Sequence, residues 1–195
     1  RDKKDTDYQD RIILGVQFDK SSFNAEMQSA RLAIKEVDEI GKGLDGIRYG
    51  MVECTNEESP LYDDLTQDEA NLVVSEYLAN QIGVVGIIGP ATSSRVSSAF
   101  LEVEQYGTLV ISPSATSPGL TTLDGIESTY DNPGLLWRTV PPDDLQGSVL
   151  AQYLMEQGIG SVAAIYEEDE YGRALSGVFM EECKGSGRQV KALEY

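Results

Sequence analysis

From Arg11 onward, short apolar runs alternate with stretches whose apolar residues recur every three or four positions, and that alternation leaves few architectures open. The run 11–18, Arg-Ile-Ile-Leu-Gly-Val-Gln-Phe, suits a strand buried on both faces. Phe23, Met27, Ala30, Ile34 and Val37 follow at helical spacing, with Asn24 or Ser22 as the cap and Gly41 as the stop. Residues 47–54 read as a second strand. Ala70, Val73, Val74, Tyr77 and Leu78 then mark the inward face of a helix whose other face carries Glu69, Asn71, Glu76 and Asn80. A strand over 84–88, a helix with Val96, Ala99, Phe100 and Val103 inward, and a strand over 109–112 complete the series. The pattern implies an α/β fold, a parallel sheet flanked by helices, in which ligands bind at the carboxyl ends of the strands.

The ends and the middle of the chain break this rhythm. Residues 1–10 are charged and aperiodic, which reads as a disordered leader. Pro118, Gly119, Gly125, Pro133 and Gly134 mark 117–134 as a long surface loop, followed by a short strand over 135–140. Pro141-Pro142 cannot continue a sheet ladder and marks a boundary or hinge. The expected organisation is a first lobe over 11–140 and the beginning of a second over 141–195. The second holds helices over 144–157 and 171–185 and strands over 161–166 and 189–195, a thin core for an independent domain.

Composition removes several functions. With 33 acidic against 15 basic residues the formal net charge is −18, which disfavours nucleic acid and anionic membrane surfaces as partners. The chain has no histidine, so the usual general base, the commonest metal ligand and the Ser-His and Cys-His pairs are missing together. No cofactor or metal is expected. Cys183 continues the stripe of Leu175, Val178 and Phe179 as an inert core thiol; a bridge to Cys54 would have to link distant segments. No apolar run reaches the ~18 residues of a membrane span. No signal peptide precedes Arg1, which leaves a cytosolic protein or a removed segment.

Two hydroxyl-rich loops carry the functional signal. Gly89-Pro90-Ala91-Thr92-Ser93-Ser94 follows one apolar run and enters a helix, which offers free backbone N–H groups and serine hydroxyls to an anion. Ser112-Pro113-Ser114-Ala115-Thr116-Ser117-Pro118 follows the next run, and its carbonyls and Thr116 hydroxyl can accept from an ammonium. A carboxylate site beside an ammonium site describes an amino-acid pocket. Taken singly, Ser93 and Ser94 are ordinary helix caps and Thr116 ordinary turn chemistry. Asp143 reads as the N-cap of the helix at 144 and also as a carboxylate for the ammonium. Tyr171 reads as packing at a helix start or as a ring over the ligand. The run Glu167-Glu168-Asp169-Glu170 lacks the spacing of a calcium loop and reads as a solvated acidic turn. No Gly-rich nucleotide loop and no Gly-x-Ser-x-Gly elbow occurs.

Four ordered motifs resemble the type I periplasmic binding proteins, the family of branched-chain amino-acid binding proteins and metabotropic glutamate receptor ligand-binding regions. They are Gly86-Ile87-Ile88-Gly89-Pro90 with Ser93-Ser94; Ser112 to Pro118; Trp137-Arg138-Thr139-Val140-Pro141-Pro142-Asp143 with Gln146-Gly147; and Asp169-Glu170-Tyr171-Gly172. The resemblance implies Rossmann-like lobes and an extracytoplasmic protein that binds an amino acid by hinge closure and feeds an ABC transporter permease. It also implies roles. Ser93 and the N–H of Ser94 hold the α-carboxylate, the Ser114 carbonyl and Thr116 hydroxyl hold the α-ammonium, Asp143 pairs with that ammonium, and Tyr171 covers the ligand. Family members are usually far longer, and some join the strand near Cys54 to the serine loop by a disulfide, where this chain has Thr92. Asp19, Ser21 and Phe23 are the expected readers of the ligand side chain. Three rival readings remain: a sensor domain that dimerises through the helices around 70–78 and 96–103, a carboxylate-dependent enzyme with Asp19 or Asp143 as base, and a structural remnant that binds nothing.

Overall fold

Five strands form one sheet: β1 (Arg11–Gln17), β2 (Arg48–Cys54), β3 (Gly86–Ile88), β4 (Leu109–Ser112) and β5 (Leu136–Arg138), in the order β2-β1-β3-β4-β5. The computed structural model describes residues 10–19, 21–40, 46–55, 64–126 and 129–194. The expected stop at Gly41 and the leader, apart from Asp10, lie outside those residues. Strands β1 to β4 pair in parallel, with Val16 opposite both Glu53 and Ile88, and Ile87 opposite Val110. The chain packs as two compact units, one of residues 1–91, 95–113 and 135–137 and the other of 92–94, 114–134 and 138–195.

In the first unit, helices α1 (Asn24–Lys35), α2 (Gln67–Glu76) and α3 (Ser93–Val103) follow β1, β2 and β3. Val96, Ala99, Phe100 and Val103 of α3 are all buried, as their spacing predicts, and so are Leu78 and Ile87, while Phe18 packs with Val16, Met27, Ala30 and Ala91. The start of α1 differs from expectation. Phe23 occupies the N-cap position without a side-chain bond, because the Asp19 carbonyl already accepts the N–H groups of Ser22 and Phe23 at 3.2 and 2.8 Å. Thr66 and Glu69 cap α2 reciprocally.

The face of α2 also departs from its apolar period. Asn71, assigned to the polar face, is fully buried, whereas Val73 and Tyr77 are 44% and 45% exposed. The cause is a buried polar network. Gln17 Nε2 donates to Asn71 Oδ1 at 2.9 Å, Asn71 Nδ2 donates to the Arg95 carbonyl and Ser98 Oγ at 3.1 and 3.2 Å, and Ser75 Oγ donates to the Asn71 carbonyl at 2.7 Å. Leaving such groups unpaired costs more than exposing two apolar side chains, so the amides set the rotation of α2.

Asp38, in the π-helical turn Glu36–Ile40 that continues α1, ties that helix to the sheet. It accepts from Arg48 at 2.7 and 2.6 Å, from Arg11 at 2.7 Å and from the Tyr49 N–H at 2.8 Å. The Arg48 bonds, opposed by burial and joined by Arg11 and the Tyr49 amide, hold its carboxyl far below the usual carboxylate range.

The second unit contains α4 (Asp144–Glu156), β6 (Ser161–Tyr166), α5 (Glu170–Gly185) and β7 (Gln189–Glu194), with β6 and β7 parallel. Ala151, Phe179 and Cys183 form its core, with Leu154, Val162, Met180 and Val190 packed on it. A Cβ on Gly147 would meet Val178 at 2.8 Å, so α4 approaches α5 as closely as glycine allows. The apolar contribution is small: Leu145, Val149, Tyr153 and Ile165 remain exposed. Within the expected loop 117–134, Pro118–Thr122 forms a short 3-10 helix that buries Leu120. Both cysteines are free, and burial pushes both thiols up, which suits the inert role read for Cys183.

Two outcomes test these interactions. Asn71→Ala is expected to lower unfolding stability by about 1–3 kcal/mol in urea titrations, through unpaired buried groups. For Asp38, a folded-state carboxyl held below its unfolded value stabilises the fold above about pH 4 and loses that contribution as pH falls. Asp38→Asn is therefore expected to melt lower than the parent at pH 7, with the gap closing as the melts are repeated at progressively lower pH.

Candidate functional site

In the first unit the carboxyl ends of the strands carry the polar groups. The chain leaves β1 for β2 on one side and returns to β3 on the other, so β1 and β3 flank the point where strand order reverses. In open α/β sheets that point opens a crevice outside the strand ends. Gly89, which follows β3, has φ +101, and a Cβ there would lie 2.1 Å from the Gln17 carbonyl. Only glycine allows this approach. Its N–H donates to the Ile111 carbonyl at 2.9 Å, and Ser112 Oγ, at the end of β4, donates to the Pro90 carbonyl at 2.8 Å. The starts of the two hydroxyl-rich loops are thereby fastened to one another.

All six residues expected at the site belong to the second unit. Ser93, buried, opens α3, and its Oγ accepts the Ser117 N–H at 3.2 Å. Ser94 Oγ accepts the Glu170 N–H at 3.2 Å. Each hydroxyl has accepted one bond and keeps its hydrogen to donate. The Thr116 carbonyl accepts the Asp143 N–H at 3.0 Å, which brings the second loop to the start of α4. Ser114 is exposed, and Tyr171, the second residue of α5, is 41% exposed.

Asp143 resolves one of the alternatives left by the sequence. It occupies the N-cap position of α4 but makes no side-chain cap bond. The residue is 5% exposed, and Oδ2 is buried with no hydrogen-bond partner among the described residues. Asp169 provides the contrast at α5, where its Oδ1 accepts the Gly172 N–H at 2.6 Å. Two aspartates thus sit at two helix starts, and one of them withholds its side chain.

Sequence reasoning missed three participants. Glu170, assigned to a solvated turn, is half-buried, and its Oε1 accepts the Ser117 hydroxyl at 3.0 Å; only Glu167 and Glu168 of that run are exposed. Ser117 is fully buried at the centre of these bonds. Arg138 donates to the Ser117 carbonyl at 2.7 Å and to the Thr121 hydroxyl. Burial pulls its guanidinium below the usual value, while Asp144 and Asp143 oppose that shift. A signal for Arg138 was present in the motif Trp137-Arg138-Thr139, but its partner could not be read from spacing.

Elsewhere, a groove of about 580 Å³ lined by Arg11, Arg31, Asp38, Tyr49 and Glu53 lies over β1 and β2. Its arginines are already paired, Arg31 with Glu53 and Arg11 with Asp38. Among the described residues no cluster of His, Cys, Asp or Glu is suited to a metal ion, and no helix is long and apolar enough to cross a membrane.

Comparison with known proteins shows the family. Residues 25–194 match the family described as receptor family ligand binding region. The chain belongs to that family, the type I periplasmic binding proteins. A leucine-, isoleucine-, valine-, threonine- and alanine-binding protein of Pseudomonas aeruginosa is 26% identical over 166 residues, covering 85% of this chain and 40% of the relative. A leucine-specific-binding protein of Salmonella typhimurium is 31% identical over 152 residues, covering 77% of this chain and 36% of the relative. The structure of an ABC transporter substrate-binding protein from Desulfitobacterium hafniense in complex with Leu superimposes with a TM-score of 0.68 at 26% identity, over 94% of this chain and 50% of that one. The chain spans less than half the length of these two curated relatives.

The contrast between the two aspartates gives a direct test. Asp169→Ala is expected to cost about 1 kcal/mol in thermal or urea unfolding, the loss of a working cap. Asp143→Ala is expected to cost less than Asp169→Ala or to stabilise the chain, because no cap bond is lost and a buried unpaired oxygen is removed.

Proposed function

We propose that this chain forms part of the binding site for a free amino acid or related small zwitterion, in an extracytoplasmic solute-binding protein that delivers it to an ABC transporter permease. The observation that carries the reading is the buried, unpartnered oxygen of Asp143, held by its own backbone against Thr116. A buried carboxylate oxygen without a donor is costly, and an α-ammonium supplies both donor and charge. The Ser93 hydroxyl and Ser94 N–H at the start of α3 donate to the α-carboxylate, with the helix dipole favouring it. The Ser114 carbonyl and Thr116 hydroxyl complete the ammonium site, and Tyr171 covers the ligand. In this reading lobe one spans 11–140, lobe two begins at 141, and residues 140–143 form the hinge whose closed state the ligand favours. Relatives named for binding leucine, isoleucine and valine support the amino-acid class and a role without catalysis.

A sensor role is the second reading, favoured by the exposure of Val73 on α2, Tyr77 just after it and Leu101 on α3, which suits a homodimer face.

Calorimetric titration with free amino acids, their N-acetyl derivatives and their amides tests the proposal. Micromolar to millimolar binding of the zwitterions is expected for this chain, at least about tenfold tighter than either singly charged analogue. Equal binding of the N-acetyl derivatives would overturn the role of Asp143. Submicromolar affinity would overturn the dependence on closure between complete lobes.

A further inference from the structure

Ser93, Ser94, Ser117 and Glu170 close a ring of hydrogen bonds, and all four belong to the second unit. Ser93 Oγ accepts the Ser117 N–H at 3.2 Å, the Ser117 hydroxyl donates to Glu170 Oε1 at 3.0 Å, and the Glu170 N–H donates to Ser94 Oγ at 3.2 Å. Ser94 adjoins Ser93, which completes the circuit. Ser117 is fully buried and Ser93 is buried beside it. In such surroundings the direction of a hydroxyl is set by the bonds it already makes.

Helix capping does not account for the ring. Glu170 is the first residue of α5, and that helix start is already capped by Asp169 through the Gly172 N–H. Glu167 and Glu168 extend into solvent, whereas the Glu170 carboxylate turns inward to Ser117. The chain leaves room for it: a Cβ on Gly119, in the 3-10 helix Pro118–Thr122, would lie 2.9 Å from Glu170 Oε1. A carboxylate repels an anion bound close by. Arg138 offsets that charge, since it donates to the carbonyl of the same Ser117 at 2.7 Å.

The geometry points to Glu170 as a positioning residue for the carboxylate end of the ligand. Its side chain holds the Ser117 hydroxyl and so fixes the amide that Ser93 accepts, while its own amide engages Ser94. Both serine hydroxyls then keep their hydrogens turned away from the ring and toward an anion. This inference rests on the amino-acid reading of the site and adds to it a residue that acts only through others. Donors held in the bound direction before the ligand arrives lose less freedom on binding, and that saving appears as affinity for the group they meet.

The test is calorimetry on this chain and its variants with the common α-amino acids, each offered as free acid, primary amide and N-acetyl derivative. Glu170→Ala is expected to lower the preference for acid over amide about fivefold, the loss of one well-directed hydrogen bond. The preference over the N-acetyl derivative, which reports the ammonium end, is expected to stay at the parent value. Gly119→Ala, which crowds Oε1 away from Ser117 without altering a member of the ring, is expected to act in the same direction and decides the matter if Glu170→Ala does not fold. Glu170→Gln keeps an acceptor for Ser117 and removes the charge, so it is expected to keep or raise the preference for the acid. A role confined to stability would lower the melting temperature and weaken all three forms alike. An acid-over-amide preference unchanged in the folded alanine variants, or lowered in Glu170→Gln as in Glu170→Ala, would overturn the inference while the parent's binding kept the amino-acid reading intact. Failure of the parent to prefer any free acid over its amide would overturn both.

Discussion

The approach of the β3–α3 connection to the end of β1 is the constraint on which the rest depends. A side chain at position 89 would collide with the Gln17 carbonyl, so glycine alone lets the chain turn there and begin α3 beside β1. The same turn sends the Gly89 N–H to β4, and Ser112 holds Pro90 from the other side.

Around that start the protein spends polar groups in two different ways. Gln17, Asn71, Ser75 and Ser98 satisfy one another in the interior, and Asn71 grips the Arg95 carbonyl one turn into α3. Their gain is orientation: the amides specify one rotation of α2 where apolar contacts alone would accept several. Asp19 and Asp143 are the opposite case. Each has a buried oxygen with no hydrogen-bond partner among the described residues, which costs stability.

Much of the architecture was legible in the sequence because parallel strands buried on both faces leave continuous apolar runs. The inward face read for the helix after β3, Val96, Ala99, Phe100 and Val103, is buried as its periodicity predicts. The α1 cap was misread because backbone bonding at Asp19 served where a side chain was expected. The face of α2 was misread because Asn71 counts as polar in any periodicity, and nothing local reveals partners on β1 and α3. Glu170 was assigned to solvent for the same reason, its partner Ser117 lying far away in sequence.

The sequence by itself determined the order of strands and helices, the hydroxyl-rich loops at strand ends and the absence of histidine chemistry, since these depend on residue type and local spacing. Tertiary structure decided which polar groups are paired and which are not. Asp143 and Asp169 look alike as helix-start aspartates, and only packing shows that one caps its helix while the other is buried with an open valence. Hydrogen bonds between distant segments have no one-dimensional signature, because each depends on where the folded backbone carries both partners.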